Sequence, residues 1–226
     1  ADGRVIRPHE AGYQNNAAAG GSGTLVYAGQ EWRFMPQDFK MATTYGVPEG
    51  SSLADWAISY EDVEPYYEKV EWEIGIFGDR DTMTHLPPYN KDYPMPPLDL
   101  PKKSQVLKRG LDALGWDTIR LPRLINSVPY NGRPACTRCQ HCVGFACPVD
   151  AKNGTQNTMI PRALKSGNCV LKVETIVSRL LTDSGGRIIG VTMMDDKGQS
   201  EDVTAEIVVL SCGAVETARL LLNSKT

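Results

Sequence analysis

Four of the six cysteines fall within one short stretch, and their side chains are well suited to binding a metal. Separated by two, two and four residues, they are Cys136, Cys139, Cys142 and Cys147. Thiolates this close together can converge on one soft metal ion or on an iron–sulfur cluster. Gly144 allows the backbone to fold back around such a centre, and Pro148 stops the last turn from continuing. The spacing therefore favours a cluster or metal loop.

Other interpretations of this cysteine loop, residues 136–147, remain open. The bacterial ferredoxin pattern C-x2-C-x2-C-x3-C-P has one residue fewer before its last cysteine. Structural zinc sites usually take ligand pairs from two separate C-x2-C knuckles, and the chain has none outside this loop. A pair of disulfides would suit a short secreted chain dense in cysteine, which this chain is not. Four unligated thiols that hold a tight loop remain the main alternative.

A second stretch of interest, the glycine segment, comprises residues 20–29. Its glycines let a ligand approach the main chain closely, and successive N–H groups there can form an anion-binding nest. A flexible linker has a similar composition. Large apolar residues such as Trp32 and Phe34 follow it, which a linker would not carry. The chain contains no G-x-G-x-x-G dinucleotide fingerprint, because Val26 stands where the third glycine would be.

A third stretch is predicted to be a strand that turns directly into a helix. Apart from Glu206, residues 206–210 are apolar, as in a strand buried on both faces of an α/β sheet. Ser211 to Ala214 then lead into a helix over 215–222. Such a turn can place a phosphate or dinucleotide at a helix N-terminus. A tight strand-to-helix joint without a ligand is the plain alternative.

Three further helices are predicted to surround these stretches. Ser59 caps the first, which ends near Gly75. The second covers 102–114, with Gly115 as its C′ residue. Its predicted inward face consists of Val106, Leu107, Leu111 and Leu114. The third covers 156–166 and contains Pro161, so it is short or kinked. A proline-rich irregular connection separates the first two, over 78–101.

After Gly167 the pattern changes to that of a sheet. Four strands are predicted, at 170–174, 176–181, 188–194 and 207–210, with turns near Asp183 and Asp195. A sheet with one strand–helix unit and no partner unit would leave its edges and faces uncovered. We therefore expect the chain to be part of a longer protein or to be covered by another chain.

Composition excludes several classes of function. The chain has 226 residues, of which 41% are hydrophobic and 23% charged, as in ordinary soluble proteins. A net charge of −3 provides no basic surface for nucleic acid. The apolar runs are too short to predict a membrane span. The sequence is compatible with a cytoplasmic or a periplasmic location.

Four segments together resemble the glucose–methanol–choline (GMC) oxidoreductases, in that family's order. The glycine segment through Phe34 resembles its flavin-side glycine segment, and 55–67 is similar to the part that follows in the bacterial sugar-dehydrogenase branch. Residues 136–152 and 160–164 are similar to the cysteine-bearing insert of that branch. Residues 211–224 resemble the second signature of the family.

The resemblance implies an FAD enzyme that oxidises a CH–OH group of a sugar or polyol and passes hydride to flavin. It implies an α/β fold with mixed α+β content: a partial FAD-binding fold with part of the substrate domain. The domains would be a flavin-contacting segment (1–58), a cap or substrate-side region with the cysteine loop (59–166), and a β-meander with a strand–helix unit (167–226).

The same resemblance assigns roles to individual residues. The isoalloxazine ring would lie beside Gly21, Ser22, Gly23, Thr24, Val26 and Tyr27. The adenine would lie beside Val177, and the phosphates near Cys212 and Gly213. Some relatives bind an iron–sulfur cluster in the insert and pass electrons to a cytochrome. That would make the cluster ligands Cys136, Cys139, Cys142 and Cys147.

The departures from the family are also informative. Some members have His where this chain has Val26, and Val cannot attach covalently to flavin, so FAD is expected to be dissociable. The family's N-terminal glycine fingerprint and its catalytic His segment have no counterpart, so the chain is expected to be a fragment, inactive alone. No catalytic residue is assigned to His9, His85 or His141. The rival hypothesis is a non-catalytic Fe–S or metal-binding electron-transfer module, which would have no use for the glycine segment.

Overall fold

The computed structural model describes residues 20–81 and 85–224. The first nineteen residues of the predicted flavin-contacting segment, and His9 with them, lie outside this range. The chain forms two compact units, residues 1–166 and 167–226. Mixed helices and short antiparallel strands confirm the expected fold class. The three-part domain division stays a prediction.

The first unit is mainly helix and irregular chain. Its α-helices are α1 (Met41–Tyr45), α2 (Tyr60–Val70), α3 (Lys102–Ala113) and α4 (Met159–Lys165). A π-helical turn, Glu71–Gly75, continues α2. Short 3-10 turns occupy Ser22–Leu25, Pro36–Lys40 and Thr155–Asn157. The predicted helices at 59–75, 102–114 and 156–166 are thereby confirmed, the last as a 3-10 turn and a short helix.

The core of the first unit is built from irregular segments that hydrogen-bond in pairs. The main chains of Phe77 and Arg123 exchange two N–H···O bonds of 2.9 and 3.0 Å. Leu124 is bonded on both sides, because its N–H donates to the Gly29 carbonyl (2.8 Å) and its carbonyl accepts from Asn153 (2.7 Å). These bonds satisfy the buried main-chain N–H and C=O groups, as the hydrogen bonds of a regular sheet would. Segments far apart in sequence therefore converge on residues 123–125.

The predicted inward face of α3 is wrong. Val106, Leu107 and Leu114 are 58%, 64% and 69% exposed, and Leu111 is half-buried. The local sequence still forms the helix, which ends with Gly115 in a left-handed conformation (φ 69°). No element among the described residues covers the apolar stripe, because a helical period specifies which side chains share a face and not what packs against them.

Replacing Ser59 with alanine is expected to destabilise α2. The Asp62 N–H donates to the Ser59 hydroxyl (3.3 Å) and the Ser59 N–H donates to the Asp62 carboxylate (2.8 Å), a capping box. Losing the cap costs about 1 kcal/mol of unfolding free energy. Urea denaturation of Ser59→Ala measures it. Ser52→Ala, also exposed but outside any helix, is the control, and an equal effect of both changes would contradict the capping role.

The second unit is a three-stranded antiparallel sheet with one helix. Its elements are β1 (Thr175–Thr182), β2 (Ile188–Asp195), β3 (Ser200–Thr204) and α5 (Gly213–Asn223). The strand order is β1-β2-β3. Buried Leu220 and the Ser224 hydroxyl, which accepts from the Leu180 N–H at 2.9 Å, attach α5 to β1. The helix predicted over 215–222 is confirmed.

Two predicted strands are wrong and one strand was missed. Residues 170–174 and 206–210 form no strand, and Ile207 and Val209 are 81% and 80% exposed. An apolar run becomes a strand only beside a neighbour that pairs with its backbone, and the described part of the chain offers these segments none. The polar β3 lacks such a run but pairs with β2 through a tight turn at Asp195–Gly198. The predicted strand–turn–helix unit is therefore only a turn and a helix.

Candidate functional site

The glycine segment presents open main chain on one side and is supported on the other. Among the described residues, no atom lies within 4 Å of the positions that Cβ atoms would occupy on Gly20 and Gly23. A Cβ on Gly21 (φ 94°) would lie 2.9 Å from the side chain of Gln156. The Thr24 hydroxyl donates to the Gly21 carbonyl and lies 3.2 Å from Gln156 Oε1. The segment is therefore a fixed turn with a free outer face.

Tyr27 and Val26 connect this turn to the interior. The Tyr27 hydroxyl donates to the Asn153 carbonyl at 2.9 Å, and the Val26 carbonyl accepts from the Gly144 N–H at 2.8 Å. Burial raises the pKa of Tyr27, and the negative charge of Glu31 raises it further. Tyr27 is therefore a neutral hydrogen-bond donor at physiological pH.

The cysteine loop packs on the core at only two of its four thiols. Cys136 and Cys142 lie against the apolar cluster of Phe77, Met95 and Ile125, whereas Cys139 is exposed. Backbone N–H groups lie 3.3 Å from two of the sulfurs: that of Arg138 from Cys136 Sγ and that of Ala151 from Cys147 Sγ. All six cysteines are free thiols.

The arrangement of the cysteine loop does not support the predicted metal centre. Within residues 20–81 and 85–224, no group of three or more His, Cys, Asp or Glu side chains is placed to hold a metal ion. Burial raises the pKa of the Cys142 thiol, and the nearby Cys136 adds to the increase, which favours the protonated form. Ligation of a metal or cluster by these four residues stays a prediction.

Lys152 joins the two predicted functional stretches. Its side chain is buried, with the whole residue 4% exposed. Its ammonium donates to the main-chain carbonyls of Tyr27 (3.0 Å), Cys142 (2.6 Å) and Phe145 (2.9 Å). Burial lowers the pKa of Lys152, and the sulfurs of Cys142 and Cys147 oppose the decrease. Sequence reasoning missed this residue, because lysines are usually exposed and no motif marks it.

Two buried asparagines continue the same connection. Asn153 donates its amide hydrogens to the Gly75 carbonyl (2.6 Å) and to Asn126 Oδ1 (2.9 Å). The main-chain carbonyl of Asn126 in turn accepts from the Cys136 N–H at 2.8 Å. The start of the cysteine loop and the support of Tyr27 are thus linked through one pair of amide side chains. Neither asparagine was predicted as a site residue.

The remaining predicted residues lie in the second unit. Val177 is half-buried on β1, next to a break in the β1–β2 register between Val177 and Arg179. Cys212 is the exposed N-cap of α5 and makes no side-chain capping bond. Gly213 (φ 81°) has no atom of residues 20–81 or 85–224 within 4 Å of a Cβ position. The first N–H groups of α5 therefore receive no cap from the Cys212 side chain. Uncapped N–H groups at the start of a helix are the groups that bind a phosphate.

A separate cavity in the first unit contains none of the predicted site residues. Its volume is about 490 Å³, and the lining includes Lys69, Trp72, Glu73, Arg133 and Arg162. Arg162 pairs with the Glu73 carboxylate at 2.5 Å, and Arg133 donates to the carbonyls of Asp150 and Ile74. Both arginines are thus engaged in contacts within the first unit.

The two units carry the features of a cofactor-binding protein of mixed α/β fold. Residues 51–226 match the family model described as GMC oxidoreductase. The chain belongs to the GMC oxidoreductase family, which confirms the resemblance and the oxidoreductase prediction. The rival hypothesis of a non-catalytic metal module receives no support from this match.

Three relatives of this chain are named as dehydrogenases. The chain is 31% identical to the fructose dehydrogenase large subunit of Gluconobacter japonicus over 96% of this chain. It is 24% identical to the gluconate 2-dehydrogenase flavoprotein of Pantoea cypripedii over 95%, and 31% identical to the 2-methyl-1,2-propanediol dehydrogenase of Mycolicibacterium austroafricanum over 90%. The aligned chain spans 39%, 39% and 36% of the lengths of these three relatives. Among the described helices, none is long and apolar enough to cross a membrane.

Each of the two units contains described residues that fit one part of an FAD site. In the first unit the outer face of the glycine segment is open, so a flat ring can approach the main chain of Gly20 and Gly23. In the second unit the uncapped start of α5 suits a phosphate, and Gly213 leaves space beside it. FAD is the cofactor that the family match supports.

Proposed function

We propose that this chain is part of an FAD-dependent oxidoreductase that oxidises a CH–OH group of a sugar or polyol. When bound, FAD accepts the hydride that leaves the hydroxyl-bearing carbon. Support comes from the family match and from relatives whose names specify fructose, gluconate and 2-methyl-1,2-propanediol, all small molecules with hydroxyl groups. The whole protein's substrate and its electron acceptor, such as a cytochrome, belong to this proposal.

The observation that carries the proposal is the rigid, open glycine segment. Its inner face is fixed by Gln156, by the Asn153 carbonyl and by the Gly144 N–H, so its outer face holds a defined shape. A preformed surface loses little entropy when a ligand binds. In this arrangement Gly21, Ser22, Gly23 and Thr24 form the surface for the ring, while Val26 and Tyr27 connect that surface to the interior.

The residues of this chain would orient the cofactor and leave the proton transfer to other groups. Neither the Tyr27 hydroxyl nor the Lys152 ammonium is available as a base, because each donates its hydrogens to main-chain carbonyls. Val26 has no nucleophilic atom, so FAD would be held without a covalent bond at this position. We assign no catalytic base among the described residues.

The test is to purify the native protein that contains this chain and measure its cofactors. Acid precipitation is expected to release FAD into solution, and anaerobic addition of fructose, gluconate or 2-methyl-1,2-propanediol is expected to bleach the flavin absorbance with at least one of them. A protein that binds no FAD, even after incubation with it, would refute the proposal. Iron and acid-labile sulfide in the same sample would establish a cluster, and their absence would exclude one.

Replacing Gly213 with aspartate is expected to weaken FAD binding about ten-fold, because a carboxylate at the start of α5 would repel the cofactor's phosphates. Equilibrium dialysis or flavin fluorescence measures the dissociation constant. Gly186→Asp is the matched control: Gly186 lies in the same unit, has φ 80° against 81° for Gly213, and also has open space beside it. Equal weakening by both changes would mean that backbone strain, not charge at the phosphate, is responsible.

A further inference from the structure

Lys152 is a buried cation that no described carboxylate pairs with. Its partners are three main-chain carbonyls, and none of the ion pairs in the described ranges includes it. Burying a charge is unfavourable unless hydrogen bonds compensate, and here three of them use all the donor hydrogens of the ammonium. Such a residue is conspicuous, because an apolar side chain would fill the same space without the penalty of burying a charge.

The three carbonyls belong to two segments that lie far apart in sequence. Tyr27 is in the glycine segment, whereas Cys142 and Phe145 are in the cysteine loop. The Gly144 N–H donates to the Val26 carbonyl at 2.8 Å, so a second bond joins the same segments directly beside the ammonium. The ring of Tyr27 lies 5.7 Å from the ammonium, within the range of a cation–π contact.

Within the cysteine loop, apolar packing on the core is confined to Cys136 and Cys142. Residues 136–147 contain no helix or strand, and Val143 and Phe145 are 69% and 61% exposed. Segments with few buried contacts open locally at low free energy. The placement of the loop against the glycine segment therefore depends on the few hydrogen bonds around Lys152.

We propose that Lys152 is a positioning residue that couples the cysteine loop to the glycine segment, so that the loop fixes the main chain of Val26 and Tyr27 where the flavin ring binds. The role at the flavin rests on the proposed function, and the coupling between the two segments does not. Because coupling between sites is reciprocal, FAD bound at the glycine segment also protects the cysteine loop from opening.

The test uses Lys152→Met in the full-length protein, since methionine has a similar length but no donor. Hydrogen exchange is followed over 20–29 and 142–147, and FAD affinity is measured separately. Exchange is expected to accelerate about ten-fold in both segments, and the dissociation constant of FAD to rise about ten-fold. FAD is expected to slow labelling of Cys142 in the wild type and not in the variant.

Glu71→Gln is the control, because it removes a buried ionic contact from the same unit but touches neither segment. It is expected to lower overall stability without selective exchange in the two segments. If Lys152→Met fails to fold, Lys152→Gln, which keeps a neutral donor, is compared with the same control and is expected to give a smaller selective effect.

The outcomes separate this proposal from that of FAD binding. Faster exchange in the loop alone, or a uniform increase like that of Glu71→Gln, would overturn the coupling and make Lys152 a general structural residue. Selective exchange in both segments of a protein that binds no FAD would support the coupling and refute the flavin function. Unchanged exchange in a variant that binds FAD normally would leave the flavin function and refute the coupling.

Discussion

Replacing Glu71 with glutamine is expected to lower the free energy of unfolding by about 3–5 kcal/mol, because it leaves two buried guanidinium groups without their shared carboxylate. Glu71 Oε1 accepts from Arg33 at 2.7 Å, and Oε2 accepts from both Arg33 (2.7 Å) and Arg80 (3.0 Å). The side chains of Arg33, Arg80 and Glu71 are 3%, 1% and 5% exposed. Urea denaturation followed by tryptophan fluorescence measures the change.

The electrostatics of this cluster explain why the carboxylate is needed. Burial alone would lower the pKa of Arg33, but hydrogen bonds and charge from Glu71, with a further contribution from Tyr60, outweigh it and raise the pKa. Arg80 makes fewer hydrogen bonds, because its Nε and Nη1 have no partner in the described structure. Its guanidinium lies between the rings of Tyr89 and Tyr93, 4.1 and 4.0 Å from their centroids. Glu71 therefore pairs with both cations, and Glu64 supplies a second carboxylate to Arg33 at 3.2 Å.

An exposed ion pair gives the matched control for Glu71. Lys108 and Asp112 pair at 2.7 Å on α3, with side chains 45% and 49% exposed. Asp112→Asn is expected to change stability by no more than about 0.5 kcal/mol, since solvent screens such pairs. A loss below about 1 kcal/mol for Glu71→Gln would contradict the assignment of Glu71 to an obligatory buried pair.

Replacing Gly190 with alanine is expected to destabilise the second unit by about 1–3 kcal/mol and to separate β3 from β2. A Cβ on Gly190 would lie 2.2 Å from the Val203 carbonyl oxygen and 2.9 Å from Thr204 Cα. These are backbone atoms of the paired strand, so no rotation of a side chain can make room. Hydrogen exchange is expected to show loss of protection over 200–204, and thermal unfolding to begin at lower temperature.

Gly185→Ala provides the comparison in the same sheet. Gly185 lies in the turn between β1 and β2, and an added Cβ would meet only the Asp183 carboxylate oxygen, at 3.3 Å. That side chain can move by a few tenths of an ångström, so protection of β3 is expected to stay at the wild-type level. If Gly190→Ala left the exchange of β3 unchanged as well, the close approach of the two strands would be contradicted.

Helix positions were predictable because the signals that set them are local. Ser59 and Asp62 form the cap of α2 from residues three apart, and Gly115 ends α3 through its own left-handed conformation. The strands predicted at 176–181 and 188–194 are confirmed as β1 and β2. The other strand predictions failed, because a strand depends on a partner elsewhere in the chain. The apolar residues 207–210 have no such partner among the described residues, while polar β3 has β2.

The sequence by itself determined the family, the helices and the candidate residues of the glycine segment and the cysteine loop. Only the tertiary structure showed that these two stretches touch, and that Lys152, Asn153 and Gln156 support the glycine segment. The physical reason is that a buried lysine among main-chain carbonyls leaves no pattern in the sequence: its partners are backbone atoms, which every residue has. Contacts of this kind follow from how the chain folds, not from residue type or spacing.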